Sequence, residues 1–216
     1  GLVALVLLAS PAATAADPPA LAGLDELSGS LDALYVDLHR NPELSLREER
    51  SAAALAARLR DAGFEVTERV GGTGVVGVLR NGPGPTVLVR TDLDALPMKE
   101  ETGLTYASTA TARNDAGETV SVMHACGHDV HMTSWVGAAT LLARGKARWS
   151  GTLVFVGQPA EETLRGAEAM VRDGLFTRFP KPDFVLGLHV TNLLPSGKVG
   201  IPSGPASAAS NAVDIT

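Results

Sequence analysis

The chain has 216 residues, with 24 acidic against 18 basic side chains and a formal net charge of −6. With no basic run, it lacks the electrostatic footprint of a nucleic-acid partner. Its 45% hydrophobic and 19% charged residues are those of a soluble globular protein long enough for one large domain. Aromatic residues make up only 4%, so Ala, Val and Leu must build the core, and the single Cys126 excludes an intrachain disulfide.

The opening stretch, GLVALVLLASPAATAAD, is a short apolar run closed by Ala13-Thr14-Ala15, an A-x-A pattern. It resembles the apolar region and cleavage site of a secretory signal peptide. It is too short to span a bilayer comfortably, and Pro11 argues against a buried helix. The expectation is a leader over 1–16 that is removed. The mature protein is then exported to the periplasm or secreted, and has no membrane attachment after cleavage.

Leu24, Leu27, Leu31, Leu34 and Leu38 recur at helical spacing, so residues 24–39 are expected to form an amphipathic helix. Ser45-Leu46-Arg47-Glu48 has the form of a capping box for a second helix, with Ala52, Leu55, Leu59 and Ala62 on one face and Gly63 as its stop. Strands are expected over 64–70, 74–79 and 86–90, with NGPGP as the turn between the last two. The third, TVLVR, is almost wholly apolar, as in a strand buried on both faces. Asp92 and Asp94 follow its C-terminal end, where ligand sites of open α/β sheets gather; two solvated turn aspartates explain them equally well.

Residues 100–122 read as irregular. Beyond MHACGHDVH (123–131), Met132, Trp135, Val136, Ala139, Leu142 and Ala143 form the stripe of a third helix. A buried strand is expected over 151–156, a helix over 167–172 and a strand over 184–188, with His189 at its end. A short strand is expected over 197–201. Strands alternating with helices imply an α/β fold with a mostly parallel sheet.

Within MHACGHDVH, Cys126 and His128 flank Gly127. In a tight loop, where glycine permits unusual backbone angles, both can converge on one centre. A thiolate and an imidazole so placed suit zinc and its neighbours. Glu161 and Glu162 follow the 151–156 strand, and adjacent side chains on a turning backbone diverge. One can therefore bind a metal while the other acts on water, the minimum equipment for amide hydrolysis. A lone Cys is usually a small hydrophobe and a lone His usually hydrogen-bonded scenery; the joint occurrence on three loops favours a metal. His124 and His131 read as structural or orienting rather than ligating.

Five stretches, HRNPELSLREE (39–49), RTDLDALP (90–97), MHACGHD (123–129), GQPAEET (157–163) and GLHV (187–190), resemble in order the motifs of the M20 metallopeptidases. The likeness is to the amidohydrolase branch, which includes hippurate and auxin-conjugate hydrolases. The resemblance implies an α/β/α sandwich holding two divalent ions, with Zn, Mn or Co all suitable. Cys126 would bridge them, His128 and His189 would complete one, Glu162 would bind the other, and Glu161 would be the general base on a bridging water. Asp92 and Asp129 would orient ligands. The substrate would be an N-acyl or N-aroyl amino acid. The resemblance also implies that 17–206 form the first part of a catalytic domain. Residues 207–216 would begin an inserted lid, the family's usual dimer surface, and a further histidine ligand would lie beyond. The stretch 1–216 alone is therefore expected to be inactive.

Three other readings compete. Cys126 could be a nucleophile with His128 or His124 as base, which leaves Glu161, Glu162 and His189 unexplained. The chain could be an inactive metal-binding or interaction module of the same fold. It could also be a deacetylase of the N-acetyl-diaminopimelate type, or a dipeptidase.

Overall fold

The computed structural model describes residues 19–201, 203 and 204. The expected leader and the expected start of the lid lie outside the described residues. Helix α1 (Leu24–Arg40) and helix α2 (Glu49–Asp61) precede a hairpin of β1 (Glu65–Val70) and β2 (Gly74–Asn81). Strand β3 (Thr86–Asp92), a small pair β4 (Thr111–Arg113) and β5 (Thr119–Ser121), and helix α3 (His128–Arg144) follow. Strand β6 (Gly151–Gln158), helix α4 (Gly166–Arg172) and strand β7 (Phe184–Gly187) complete the elements.

The main sheet has the order β1-β2-β6-β3-β7. Strand β3 runs parallel to β6 and β7, while β2 runs antiparallel to β1 and β6. Strands β1, β6, β3 and β7 therefore share one direction and only β2 opposes them, so the sheet is mostly parallel. The C-terminal ends of β3, β6 and β7 lie along one edge of the sheet, and the donor-bearing loops follow β6 and β7 there.

Two layers of helix bury the two faces. On one, Leu34 and Leu38 of α1, Leu55 and Leu59 of α2, and Met132 and Trp135 of α3 pack on Val75, Leu79, Leu153 and Phe155. On the other, Met170 of α4 and Leu175 cover Val76, Val78, Val154 and Val156. The alternation of Leu153 and Phe155 against Val154 and Val156 is the period of two expected of a strand buried on both faces. Gly77 lets α2 approach closely, since a Cβ there would lie 2.6 Å from Leu59 Cδ1.

Several expectations need correction. The capping box does not form. Ser45 Oγ donates instead to Asp94 Oδ2 at 2.5 Å, and Glu48 is turned inward. The first turn of α2 is capped by Glu43, whose carboxylate accepts from Arg50 N at 3.0 Å and Ser51 N at 2.7 Å. An anion at that position also suits the helix dipole. Residues 197–201 form no strand, and the 100–122 stretch carries the β4–β5 pair, three residues to a strand. Among the described strands, β1 and β7 end the sheet, and in β7 Phe184 is 60% and Leu186 58% exposed.

Phe155 is fully buried, with its ring 5.2 Å from that of Phe64 and 5.1 Å from that of Trp135. Phe155→Ala should therefore cost about 3–5 kcal/mol of stability. Urea denaturation of the two proteins checks this, and a loss below about 1 kcal/mol would show that the core relaxes around the gap.

Candidate metal centre

The centre is assembled from three connections. Gly127 adopts φ +79° and precedes α3, so Cys126 is in the loop while His128 opens the helix. A Cβ on Gly127 would stand 2.5 Å from Val190 Cγ2, so the 126–128 turn and the segment after β7 can pack this closely only around glycine. Cys126 Sγ lies 3.4 Å from His189 Nε2. His128 Nε2 lies 3.7 Å from both Glu161 Oε2 and Glu162 Oε1, and 3.6 Å from Asp92 Oδ2. The donors of Cys126, His128 and His189 all fall within 4.8 Å of one another, as do those of His128, Glu161 and Glu162.

The orientation of each donor has a visible cause. His128 Nδ1–H donates to the Asp94 carbonyl at 2.7 Å, which leaves Nε2 as the lone pair facing the centre. His189 Nδ1–H likewise donates to the Val190 carbonyl at 2.6 Å, turning Nε2 toward Cys126. Asp94 is fully buried; its Oδ1 accepts from Glu161 N and its Oδ2 from Glu162 N, both at 3.0 Å. Burial would raise its carboxyl, but hydrogen bonds from His128, Ser45 and these two amides outweigh that and hold it below the ordinary range.

Asp92 accepts from His131 Nδ1 at 2.8 Å and from Arg90 at 2.7 Å. Burial again opposes ionisation, yet the His131 bond and the charges of His128 and Arg90 hold its carboxyl at about 2. His131 Nε2 in turn accepts from Val190 N at 2.9 Å, so Asp92 and His131 brace the backbone beside His189. His131 thus has both nitrogens engaged. Asp129 lines the same cleft as Cys126 and His189, but its side-chain partner is His39 rather than a donor of the centre. It accepts from His39 Nδ1 at 2.7 Å, and His39 Nε2 is 3.0 Å from Glu100.

Sequence reasoning left Asp94 as an undecided turn residue, and its organising role is visible only from burial and partners. The capping pattern around Glu48 and Ser45 hid their link to this centre. Only the apolar surroundings of Asp92 and Asp94, after a strand buried on both faces, could have flagged the pair.

Whether the residues fit a cation is tested by what they leave unsatisfied. Among the described residues, five buried side-chain atoms have no hydrogen-bond partner: Ser51 Oγ, both ring nitrogens of His124, His128 Nε2 and Glu162 Oε1, the last two of which face each other at 3.7 Å in the donor cluster. Buried polar atoms without partners are rare and costly. Ligands ~2.0–2.3 Å from a tetrahedral zinc stand ~3.3–3.8 Å apart, which is the spacing of the His128–Glu162 and Cys126–His189 atoms. The set of thiol, imidazole and carboxylate suits a divalent transition ion. Burial and the neighbouring Glu162, Glu161 and Asp92 carboxylates push the Cys126 thiol up to about 12. Burial and the adjacent carboxylates work against a free thiolate at Cys126. A cleft of about 670 Å³ opens beside Cys126 and His189, lined also by Tyr35, His124, Val190 and Asn192.

The profile of Peptidase family M20/M25/M40 matches residues 88–215. The chain belongs to this family. It is 40% identical over 191 residues to a hippurate hydrolase of Campylobacter jejuni, covering 88% of this chain and 47% of that protein. It is 40% identical over 182 residues to thermostable carboxypeptidase 2 of Saccharolobus solfataricus, covering 82% and 43%. A solved Bacillus subtilis structure, described as a dinuclear metal binding peptidase of the M20 family, superposes with a TM-score of 0.74 at 33% identity. That match covers 84% of this chain and 48% of the other. The chain spans about half the length of the curated relatives it matches. The M20 assignment, the α/β fold and the donor cluster thus agree.

Binding of a divalent ion through Cys126 must displace a proton from a thiol held near 12. Affinity should therefore fall as pH falls, by roughly tenfold per unit for one displaced proton. Titration calorimetry in buffers of different ionisation enthalpy checks this, and affinity independent of pH between 6 and 8 would remove Cys126 from the ligands.

Proposed function

We propose that the protein is a metal-dependent amidohydrolase acting on N-acyl or N-aroyl amino acids, with Cys126, His128, Glu162 and His189 holding two divalent ions and Glu161 as general base. The observation that carries this reading is the pair of adjacent glutamates facing His128 Nε2 with unequal burial. Distance does not separate them, since both stand at 3.7 Å. Exposure does: the Glu162 side chain is 18% exposed and ends in a buried oxygen without a partner, whereas Glu161 is 33% exposed. The inward carboxylate fits a ligand, and the more open one can reach water and substrate.

Cys126, His128, Glu162 and His189 would hold the ions, whose chemistry there would be Lewis acidity toward a carbonyl and toward water. Glu161 would take the proton of the attacking water and deliver it to the amide nitrogen as the C–N bond breaks, giving a carboxylate and a free amino acid. His128 and His189, each held by a backbone carbonyl, would keep their Nε2 atoms fixed throughout. Asp94 would hold the backbone of both glutamates still. The substrate class is supported by the relatives: hydrolysis of hippurate and carboxypeptidase action both cleave an amide whose amine side carries a free carboxylate. The inactive-module reading gives no use to a carboxylate left outside the ligand set.

In the full-length protein, Glu161→Gln should keep its metal and lose roughly two to four orders of magnitude in kcat on hippurate. Glu162→Gln should instead lower metal content. Elemental analysis alongside kinetics decides the matter, and the opposite pattern would exchange the two roles.

A further inference from the structure

Ala160, the residue before the two glutamates, is fully buried and adopts φ +47°, in the left-handed region. Leu164, four residues on, is also left-handed at φ +57°. L side chains disfavour this conformation, and it persists only where surrounding contacts enforce it. The turn matters because β6 ends at Gln158. A chain continuing in extended form would carry residues 161 and 162 past Asp94 rather than onto it.

The enforcing contacts are visible. Ala160 N donates to Glu48 Oε1 at 2.8 Å, and Ala160 O accepts from Arg165 N and Gly166 N, both at 3.1 Å. Gly166 seals the loop, since a Cβ there would fall 1.5 Å from the Pro159 carbonyl oxygen. Glu48 is itself fully buried. Its Oε1 also accepts from Leu46 N at 2.9 Å, and its Oε2 accepts from the Thr73 hydroxyl. No salt bridge reaches it among the described residues, an expensive way to keep a carboxyl group inside a protein. Its hydrogen bonds instead link Leu46, just before α2, and Thr73 to Ala160, the left-handed residue that immediately precedes the two glutamates.

We infer that Glu48 is a positioning residue for this centre: its carboxyl group locks Ala160 in the left-handed turn that aims Glu161 and Glu162 in their separate directions. The inference rests on the proposed roles of those two glutamates. A glutamine at 48 retains an oxygen for the Ala160 and Leu46 amides and offers its NH₂ to the Thr73 oxygen. An alanine retains neither.

The test compares Glu48→Gln and Glu48→Ala in the full-length protein. Hydrogen–deuterium exchange of the metal-free protein should show faster exchange over 159–166 in Glu48→Ala, with β2 and β6 still protected and Glu48→Gln like wild type. With metal and hippurate, Glu48→Ala should lose about ten- to a hundredfold in kcat, as expected of a small misplacement of reacting groups. KM should change by less than about threefold. Adding Ala160→Gly to Glu48→Ala should restore part of the loss, because glycine takes the left-handed turn unaided. Should Glu48→Ala fail to fold, Glu48→Asp, whose carboxylate falls one methylene short, carries the same comparison. Unchanged exchange over 159–166, or loosening spread evenly over the core, would overturn the inference. If Glu161→Gln keeps full turnover while the exchange pattern holds, the base assignment fails and the role of Glu48 in the loop stands.

Discussion

The centre depends on one buried carboxylate. Asp94 accepts hydrogen bonds from two consecutive backbone amides and from Ser45, while its own carbonyl holds the His128 ring. One residue at the end of β3 thus joins the segment before α2, the start of α3 and the loop after β6. A lone charge in this interior would be prohibitive. Here the hydrogen bonds offset it, and the carboxyl stays ionised well below neutral pH. The consequence is an excess of negative charge: Asp92, Glu161 and Glu162 crowd the same space, so that burial and these carboxylates together raise the Cys126 thiol, while Glu162 is raised chiefly by burial. Within the described residues Arg90, paired with Asp92, is the only Lys or Arg in a salt bridge with this group. A divalent cation resolves this conflict and satisfies His128 Nε2 and Glu162 Oε1 together.

Asp92 and Asp94 act as a pair through simple geometry. Asp92 ends β3 and Asp94 lies two residues on; Asp92 meets His131 through its carboxylate, and Asp94 meets His128 through its backbone carbonyl. His128 and His131, three apart on α3, share a face, ~4.5 Å apart along the axis. One pairing turns a ring toward the donors. The other braces the backbone at Val190, which keeps His189 opposite Cys126.

Much of this was legible in the residues because the relevant patterns are local or chemical. The helices carry clear 3.6-residue periodicity, and the apolar run 151–156 announces the buried β6; TVLVR reads as equally buried, but β3 is half-buried at Val87 and Val89, where its neighbour is the exposed β7. Cys126, His128, Glu161, Glu162 and His189 stand out by donor type and by position after strands or before a helix. What was hidden depends on tertiary placement. Ser45 and Glu48 have the spacing of a local cap, but the interior offers both of them stronger partners, and Glu43 takes over the helix end. The β4 and β5 strands are too short for alternation to register. The 197–201 stretch has strand composition without a neighbour to pair with among the described residues. Asp94 reads as a turn residue until its burial is known.

The position of β7 sets how firmly the centre is closed. His189 rides two residues beyond a four-residue strand that, within the described chain, pairs only with β3 and leaves its side chains exposed. Cys126, His128 and the glutamates sit on better-buried elements. Opening free energies differ widely across one protein, and short edge elements lie at the low end. Among the described donors, His189 is therefore the one carried by the most exposed backbone, and its place opposite Cys126 rests on the chain of hydrogen bonds from Asp92 through His131 to Val190 N rather than on the strand itself.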